Sequence, residues 1–354
     1  MKDKKLKFFG ARLMKTGIAV FITATICYYF DLPVVFAVII AIATIEPTAS
    51  DSIKKGMIRF PAALIGAGLA MTFTYWFGHS PITYTLAAVF TIYLCMGLKL
   101  EAGALIATIT AVAMIPVTQD HYFLTFIERS GTTTIGLVVS TFVNFFIFPP
   151  RFSEEIKNRN DQLFTETATL LKKRADELIL HKKAISKECQ KEYKRITSEL
   201  AKSFQLAHYQ REEWKYHRHS ISELRAFVYE TKKLEQLQQI HYHLGHLITV
   251  HINDKEFIHS NQELLKQTVD STVALMKTAG RQPTNDAHVA NIKELDELFW
   301  HTNDGSHPSV KKYHHHFTTE TIVLFVILSI HDVLEELEIV SKRIVEEKPR
   351  VYES

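Results

Sequence analysis

Six apolar stretches without a single charged residue occupy most of the first 150 positions of the chain. They are Thr16–Phe30, Leu32–Ile45, Phe60–Phe77, Ile82–Leu98, Ala102–Val117 and Ser130–Phe148. Several are shorter than the roughly 20 residues that comfortably cross a bilayer, so one of them alone would also fit a buried helix of a soluble protein. A segment holding only 18 of the 79 charged side chains cannot cover such a core with polar surface. The pattern therefore predicts a transmembrane domain with six helical spans.

The composition changes near Pro149 and Pro150, after which the chain contains the remaining 61 charged side chains. Apolar residues there recur at seven- or eight-residue intervals, beginning with Ile156 and Leu163, as on the buried face of long helices. The sequence predicts an all-α protein with a transmembrane domain at 1–150 and a cytoplasmic helical bundle at 151–354. The two parts carry net charges of +4 and −1, which exclude a strongly basic surface for nucleic acid.

The distribution of Lys and Arg predicts how the spans are oriented, because positively charged flanks stay in the cytoplasm. Lys and Arg cluster before the first span, between the second and third spans at Lys54, Lys55 and Arg59, at Lys99, and after the sixth span. The alternate connections contain almost none, with Arg129 as the exception. Both termini and the helical bundle are therefore predicted to be cytoplasmic.

Arg129 is also part of an internal repeat. Arg59, Ile65 and Gly66 at the third span match Arg129, Ile135 and Gly136 at the sixth, at a constant shift of 70 residues. Pro47 and Pro116 mark the ends of the second and fifth spans at a shift of 69. Since each unit would contain three spans, the second copy must be inverted in the membrane, as in many transporters.

These features resemble the aromatic acid exporter and fusaric acid resistance family, in its short, single-unit bacterial form. The resemblance rests on the six closely spaced spans, the segment from Glu46 through Arg59 to Gly66, the second element from Arg129 to Gly136, and the helical tail. It implies a multi-pass protein of the bacterial inner membrane that exports aromatic carboxylic acids, uses the proton-motive force and forms a homodimer. Larger members carry two such units or a separate periplasmic partner.

Four charged residues are candidates for a substrate path. Arg59 and Arg129 are suited to an organic anion because guanidinium donates two hydrogen bonds to a carboxylate; the alternative for Arg59 is an anchor at the cytoplasmic surface. Glu46 and Glu101 lie in equivalent parts of the two units, and either is a candidate for a coupling proton. In the alternative interpretation, Glu46 simply begins a loop and Glu101 pairs with Lys99 or with a helix N-terminus.

Small residues and prolines are candidates for helix packing or bending. The short second and fifth spans end at Pro47 and Pro116, where a broken or partly re-entrant helix would line a substrate path. Gly66, Gly103 and Gly136 permit close contact between helices.

The second half contains 16 of the 18 histidines, which raises the alternative of a membrane-anchored sensor or interaction scaffold. His217 with His219, or His243 with His246, would bind metal or respond to pH. No Cys or acidic motif completes a metal site, and no nucleophile with a suitably spaced base or phosphate-binding loop appears. We expect no enzyme activity, metal or cofactor.

Overall fold

The computed structural model describes residues 2–117, 122–147, 152–179, 185–250, 261–278, 284–304 and 319–346. Every regular element in these ranges is helical, which confirms the all-α prediction for the described part of the chain. The chain divides into two compact units. The first contains Met1–Arg151 together with Tyr209–Arg218, and the second contains Phe152–His208 and His219–Ser354. The predicted domain boundary at 150/151 lies beside this division, but it did not anticipate that Tyr209–Arg218 belongs with the first unit.

Six α-helices form most of the first unit. They are α1 (Lys2–Tyr29), α2 (Val34–Thr44), α3 (Ala49–Phe77), α4 (Pro81–Gly97), α5 (Glu101–Met114) and α6 (Tyr122–Phe146), with a 3₁₀ turn at Ile115–Val117. Helix α3 alone, among the described helices, is both long and apolar enough to cross a membrane by length and composition; α2, α4 and α5 are apolar but shorter. The six-span arrangement stays a prediction.

Two of the predicted helix starts were wrong. Lys54, Lys55 and Arg59 were assigned to a loop before the third span, yet they lie on α3, whose N-terminus is capped by the Thr48 hydroxyl accepting from the Asp51 N–H. Arg129 likewise lies inside α6 and does not open it. A charge ends an apolar stretch but does not end a helix, since Lys and Arg are good helix formers.

The packing of the first unit follows the predicted repeat. Helix α3 packs against α5 of the other three-helix group, and α6 packs against α2 in the same way. Helix α1 contacts α2 and α6, while its counterpart α4 contacts α5 and α3; the two long helices α3 and α6 also touch each other. Each of these main helix contacts therefore has a repeat-related equivalent, and the α3–α6 contact relates the two groups to each other.

The second unit is built from α7 (Ser153–Ile179), α8 (Lys187–Glu213), α9 (Ile221–Thr249), α10 (Gln262–Thr278), α11 (Asp286–Asp304) and α12 (Thr319–Glu346). The last turn of α8 is part of the first unit. The apolar run Ile322–Ile330 lies on α12, and its residues Leu324, Val326 and Ile330 are fully buried in the core of the bundle. The predicted histidine positions 251 and 314–316 lie outside the described residues.

Candidate functional site

Arg129 is a buried cation in the middle of the first unit, with only 5% of its surface exposed. It lies seven residues, or two turns, before Gly136, so both face α2 from the same side of α6. Its Nη2 donates to the Thr110 hydroxyl on α5 at 2.8 Å, and its guanidinium carbon lies 3.7 Å from the centre of the Phe36 ring on α2.

The remaining nitrogens of this guanidinium have no acceptor. Nε and Nη1 of Arg129 are buried and make no hydrogen bond within the described part of the chain, and no carboxylate there forms an ion pair with it. A buried charge left unpaired costs several kcal/mol in general. The Phe36 ring offsets part of this cost, about 2 kcal/mol for a desolvated cation–π contact. The site is therefore positive and short of acceptors.

Arg59, the repeat counterpart of Arg129, has the opposite environment. Its Nη2 donates to the Glu46 carboxylate at 2.7 Å and its Nη1 to the Ala43 carbonyl at 2.8 Å. Lys55 also donates to Glu46, at 2.9 Å. Burial raises the pKa of Glu46, but the hydrogen bonds from Lys55 and Arg59 outweigh it and hold that pKa below its ordinary value. Glu46 is therefore a counter-ion near neutral pH.

The difference between the two arginines has a simple origin in the sequence. At the shift of 70 residues, the position equivalent to Glu46 is Pro116, which has no charge. Glu101, the other candidate carboxylate, is exposed at the first position of α5 and is far along the helix from Thr110. The structure thus pairs Arg59 with Glu46 and also brings Arg59 beside the start of α5, where its Nε donates to the Ala102 carbonyl at 3.4 Å, next to Glu101. Arg129 forms no ion pair with either carboxylate.

The glycines and prolines lie where the helices meet or end. A Cβ on Gly136 would come within 2.5 Å of the Ala37 carbonyl, and Gly66 faces the Ala107 carbonyl in the equivalent manner. Gly103 lies against Ala62. Pro47 lies in the connection between α2 and α3, and Pro116 in the 3₁₀ turn after α5. At 1.5 Å per residue, α2 and α5 are only about 17 and 21 Å long, shorter than a bilayer core of roughly 30 Å.

A polar cluster around the α2–α3 connection was not anticipated from the sequence. The Asn144 amide on α6 donates to the carbonyls of Glu46 and Thr48 and to the Ser52 hydroxyl, and its oxygen accepts from the Lys15 ammonium at 2.9 Å. Asn144 is a lone amide in an apolar stretch, which is the one local signal that would have identified it.

The segment Tyr209–Arg218 completes this polar cluster. Glu212 accepts from the Ser50 hydroxyl at 2.9 Å and from the Lys54 ammonium at 2.6 Å, and it also pairs with Lys215. Glu213 accepts from the Ala49 N–H, at the first turn of α3. No sequence pattern indicates these contacts, because Glu212 and Glu213 look like any other acidic residues of a polar helix.

An apolar groove of about 710 Å³ runs between α3 and α6. It is lined by large apolar side chains together with smaller residues such as Gly56 and Thr134; the large side chains include Met57, Phe60, Leu137, Phe142, Phe145 and Phe146. Met57, Phe142 and Phe146 are more than half exposed. This surface suits contact with lipid or another apolar partner.

Two of the described histidines of the second unit, His241 and His288, are buried packing residues. His241 stacks on Tyr193 and hydrogen-bonds the Thr197 hydroxyl at 2.8 Å, and His288 contacts His331 across two helices. Within the described ranges, no group of three or more metal-ligating side chains comes together. His217, from one of the two predicted histidine pairs, instead belongs to the polar cluster of the first unit.

A helical unit with a repeated three-helix plan and a buried cation is typical of membrane transport proteins. Residues 7–147 match the family model of aromatic acid exporter family member 1, which confirms the resemblance for this part of the chain, and the whole chain belongs to the UPF0421 family. The matched family model is one of membrane exporters.

Relatives similar over nearly the whole chain include a UPF0421 protein of Bacillus cereus strain ATCC 14579, 46% identical over 343 residues, covering 97% of each chain. A UPF0421 protein of Halalkalibacterium halodurans is 37% identical over 334 residues, covering 94% of this chain and 90% of that protein. A third, from Staphylococcus aureus, is 37% identical over 275 residues, covering 77% of this chain and 84% of that protein.

Proposed function

We propose that this protein is a multi-pass transporter of the bacterial inner membrane that exports aromatic or other small organic acids. In this proposal α1–α6 cross the membrane, and the N-terminus and the helical bundle are cytoplasmic. The observation that carries the proposal is the buried guanidinium of Arg129, which has no acidic partner among the described residues. A homodimer and coupling to protons are parts of the proposal that come from the family resemblance.

The geometry around Arg129 suits a small carboxylate. Its unpaired Nε and Nη1 would donate to the anion, while the Thr110 hydroxyl and the Phe36 ring fix the guanidinium in place. A permanent internal counter-ion would cancel this attraction, as Glu46 does for Arg59. Insertion of Arg at the centre of a bilayer costs roughly 2.5–3.5 kcal/mol, so an unpaired Arg in a span is expected to serve function.

The energetic balance also favours transport over permanent binding. One cation with a neutral hydroxyl and an aromatic ring attracts an anion without enclosing it in a full set of donors. Such a site binds an anion strongly enough to draw it from solution and weakly enough to release it. Arg59, neutralised by Glu46, is better suited to holding α3 against α2.

Flux of a labelled aromatic carboxylate, such as benzoate, from vesicles containing the purified protein tests the proposal. We expect saturable flux that depends on the pH gradient, lost by at least about tenfold in Arg129→Ala and partly retained in Arg129→Lys, which keeps the charge but not the fork. Lys99→Asn is the matched control, because Lys99 is an exposed cation with φ 59°, a conformation that Asn accepts.

An intact, folded protein that gives no flux for any organic anion in a substrate panel would overturn the proposal and favour the membrane-anchored scaffold. Equal flux in the native protein and in Arg129→Ala would refute the role of Arg129 while leaving export in place.

A further inference from the structure

Glu213, the buried last residue of α8, forms a close pair with the half-buried His217 that follows it. The Glu213 side chain is only 2% exposed, and its Oε2 accepts from the Ala49 N–H at 2.9 Å. Its Oε1 lies 3.0 Å from Nδ1 of His217. The other ring nitrogen of His217, Nε2, lies 3.0 Å from the Phe145 carbonyl oxygen on α6.

This arrangement favours one further proton on the pair. A carbonyl oxygen only accepts, so Nε2 of His217 carries a hydrogen. In a neutral imidazole, Nδ1 would then be a bare lone pair facing the lone pairs of an ionised carboxylate. At 3.0 Å this contact is repulsive, and a further proton on Nδ1 or on Oε1 would relieve it. The pair is neutral overall in both cases.

We propose that Glu213 and His217 form a binding site for a single shared proton, and that its occupancy holds the segment Tyr209–Arg218 against the first turn of α3. Loss of the proton leaves a carboxylate against an imidazole lone pair, and the segment detaches. The site lies on residues outside the proposed substrate path. The proposal therefore does not depend on the identity of the transported molecule.

The neighbouring charges allow such a site to titrate. Burial raises the pKa of Glu213, while the ammonium of Lys15 on α1 and the His217 ring act against this. Lys15 is itself held by Asn144 of α6. The other charged or titratable groups that face the segment are Asp51 and Lys54 of α3, and Glu212, Lys215 and Tyr216 of the segment itself.

Glu212 also holds the segment against α3, but it is not the group that gains or loses the proton. The hydrogen bonds from Lys215 and Lys54 lower the pKa of Glu212 to about 2, so it stays ionised at every pH near neutrality. A change in docking between about pH 5 and pH 9 must therefore involve another group.

Trp214, within the segment, provides a direct optical probe of docking. We would replace Trp76 and Trp300, both exposed, with Phe in the full-length protein and follow Trp214 emission between about pH 5 and pH 9. We expect one transition with the slope of a single proton. The hydrogen-exchange rates of the 209–218 amides, corrected for the intrinsic effect of pH on exchange, should increase over the same pH range.

Glu213→Gln is the decisive variant. The amide is isosteric with a protonated carboxyl group, since its oxygen accepts from the Ala49 N–H and its nitrogen donates to Nδ1 of His217. We expect it to remain docked and to lose the transition completely. Glu212→Gln is the matched control, which should keep the transition. Glu213→Ala, checked for folding by size-exclusion chromatography, supplies the signal of the detached segment.

Two results would overturn the proposal. One is a Glu213→Gln protein that titrates as the native protein does. The other is a native protein whose Trp214 emission and amide exchange do not change with pH although Glu213→Ala shows that both report detachment.

Discussion

Gly136 of α6 lies directly against the backbone of Ala37 in α2, so closely that a Cβ on the glycine would fall 2.5 Å from the Ala37 carbonyl oxygen. The same relationship joins Gly66 of α3 to Ala107 of α5. Each residue of this second contact lies 70 positions along the chain from its counterpart in the first. The two contacts are repeat-related in sequence and in space. They fix how closely the third helix of each group approaches the second helix of the other.

Replacing either glycine with alanine should therefore destabilise the protein to a similar degree. The new methyl group meets a carbonyl oxygen that cannot move without its helix, and we expect a loss of about 1–3 kcal/mol for Gly66→Ala and for Gly136→Ala. Thermal unfolding in detergent measures it. Gly68→Ala, on the same helix but facing open space, should be neutral or stabilising by up to about 1 kcal/mol. Equal effects of all three substitutions would contradict the close-contact interpretation.

The ion pair of Glu46 with Arg59 should make a stability contribution that depends on pH. Because the folded-state pKa of Glu46 lies below its ordinary 4.5, this contribution is present above that value and is lost as the pH falls through the lowered pKa. Glu46→Gln should thus cost about 1–3 kcal/mol at neutral pH and little in strong acid. Denaturant unfolding at several pH values tests this. The exposed Glu101→Gln serves as the control, and a pH-independent cost for Glu46→Gln would argue against the ion pair.

Protonation of His241 should destabilise the fold in mild acid. Burial lowers its pKa from 6.5 to about 4, so the stability associated with its neutral form is present above pH 6.5 and is lost as the pH falls toward 4. The shift corresponds to a loss on the order of 3 kcal/mol. His241→Gln should lower stability at neutral pH and reduce its acid dependence. Circular dichroism melts between these pH values measure the effect, and exposed His301→Gln should leave the acid dependence as it is. An unchanged acid dependence in His241→Gln would show that other groups cause it.

The proposed topology places the α3–α4 connection outside and the α4–α5 turn inside. With the buried Cys27, Cys95 and Cys189 replaced by Ala, a membrane-impermeant maleimide should label His79→Cys in intact cells. It should label Lys99→Cys only after the membrane is opened. Both positions are exposed in the first unit, so the reagent can reach them. Labelling of both in intact cells would refute the six-span arrangement.

Local sequence patterns were sufficient for the helices and for the repeat. Apolar periodicity predicted long helices after residue 151, and Ile156 and Leu163 both lie on the buried face of α7, since a helix buries one face at 3.6-residue spacing. Charge was a poor guide to helix ends, and α3 begins at Ala49, well before the apolar stretch that starts at Phe60. The capping hydroxyl of Thr48 sets that start.

The sequence by itself determined the residue types at the site, namely Arg59, Arg129 and Glu46, and the shift that relates the two arginines. Only the tertiary structure decided which arginine is neutralised, because pairing depends on which carboxylate comes within 4 Å after the helices pack. The contact of Glu213 with the first turn of α3 joins positions 164 residues apart, and no local pattern encodes such a separation. Hydrophobic periodicity is a property of neighbours along the chain, whereas an ion pair or a shared proton is a property of neighbours in space.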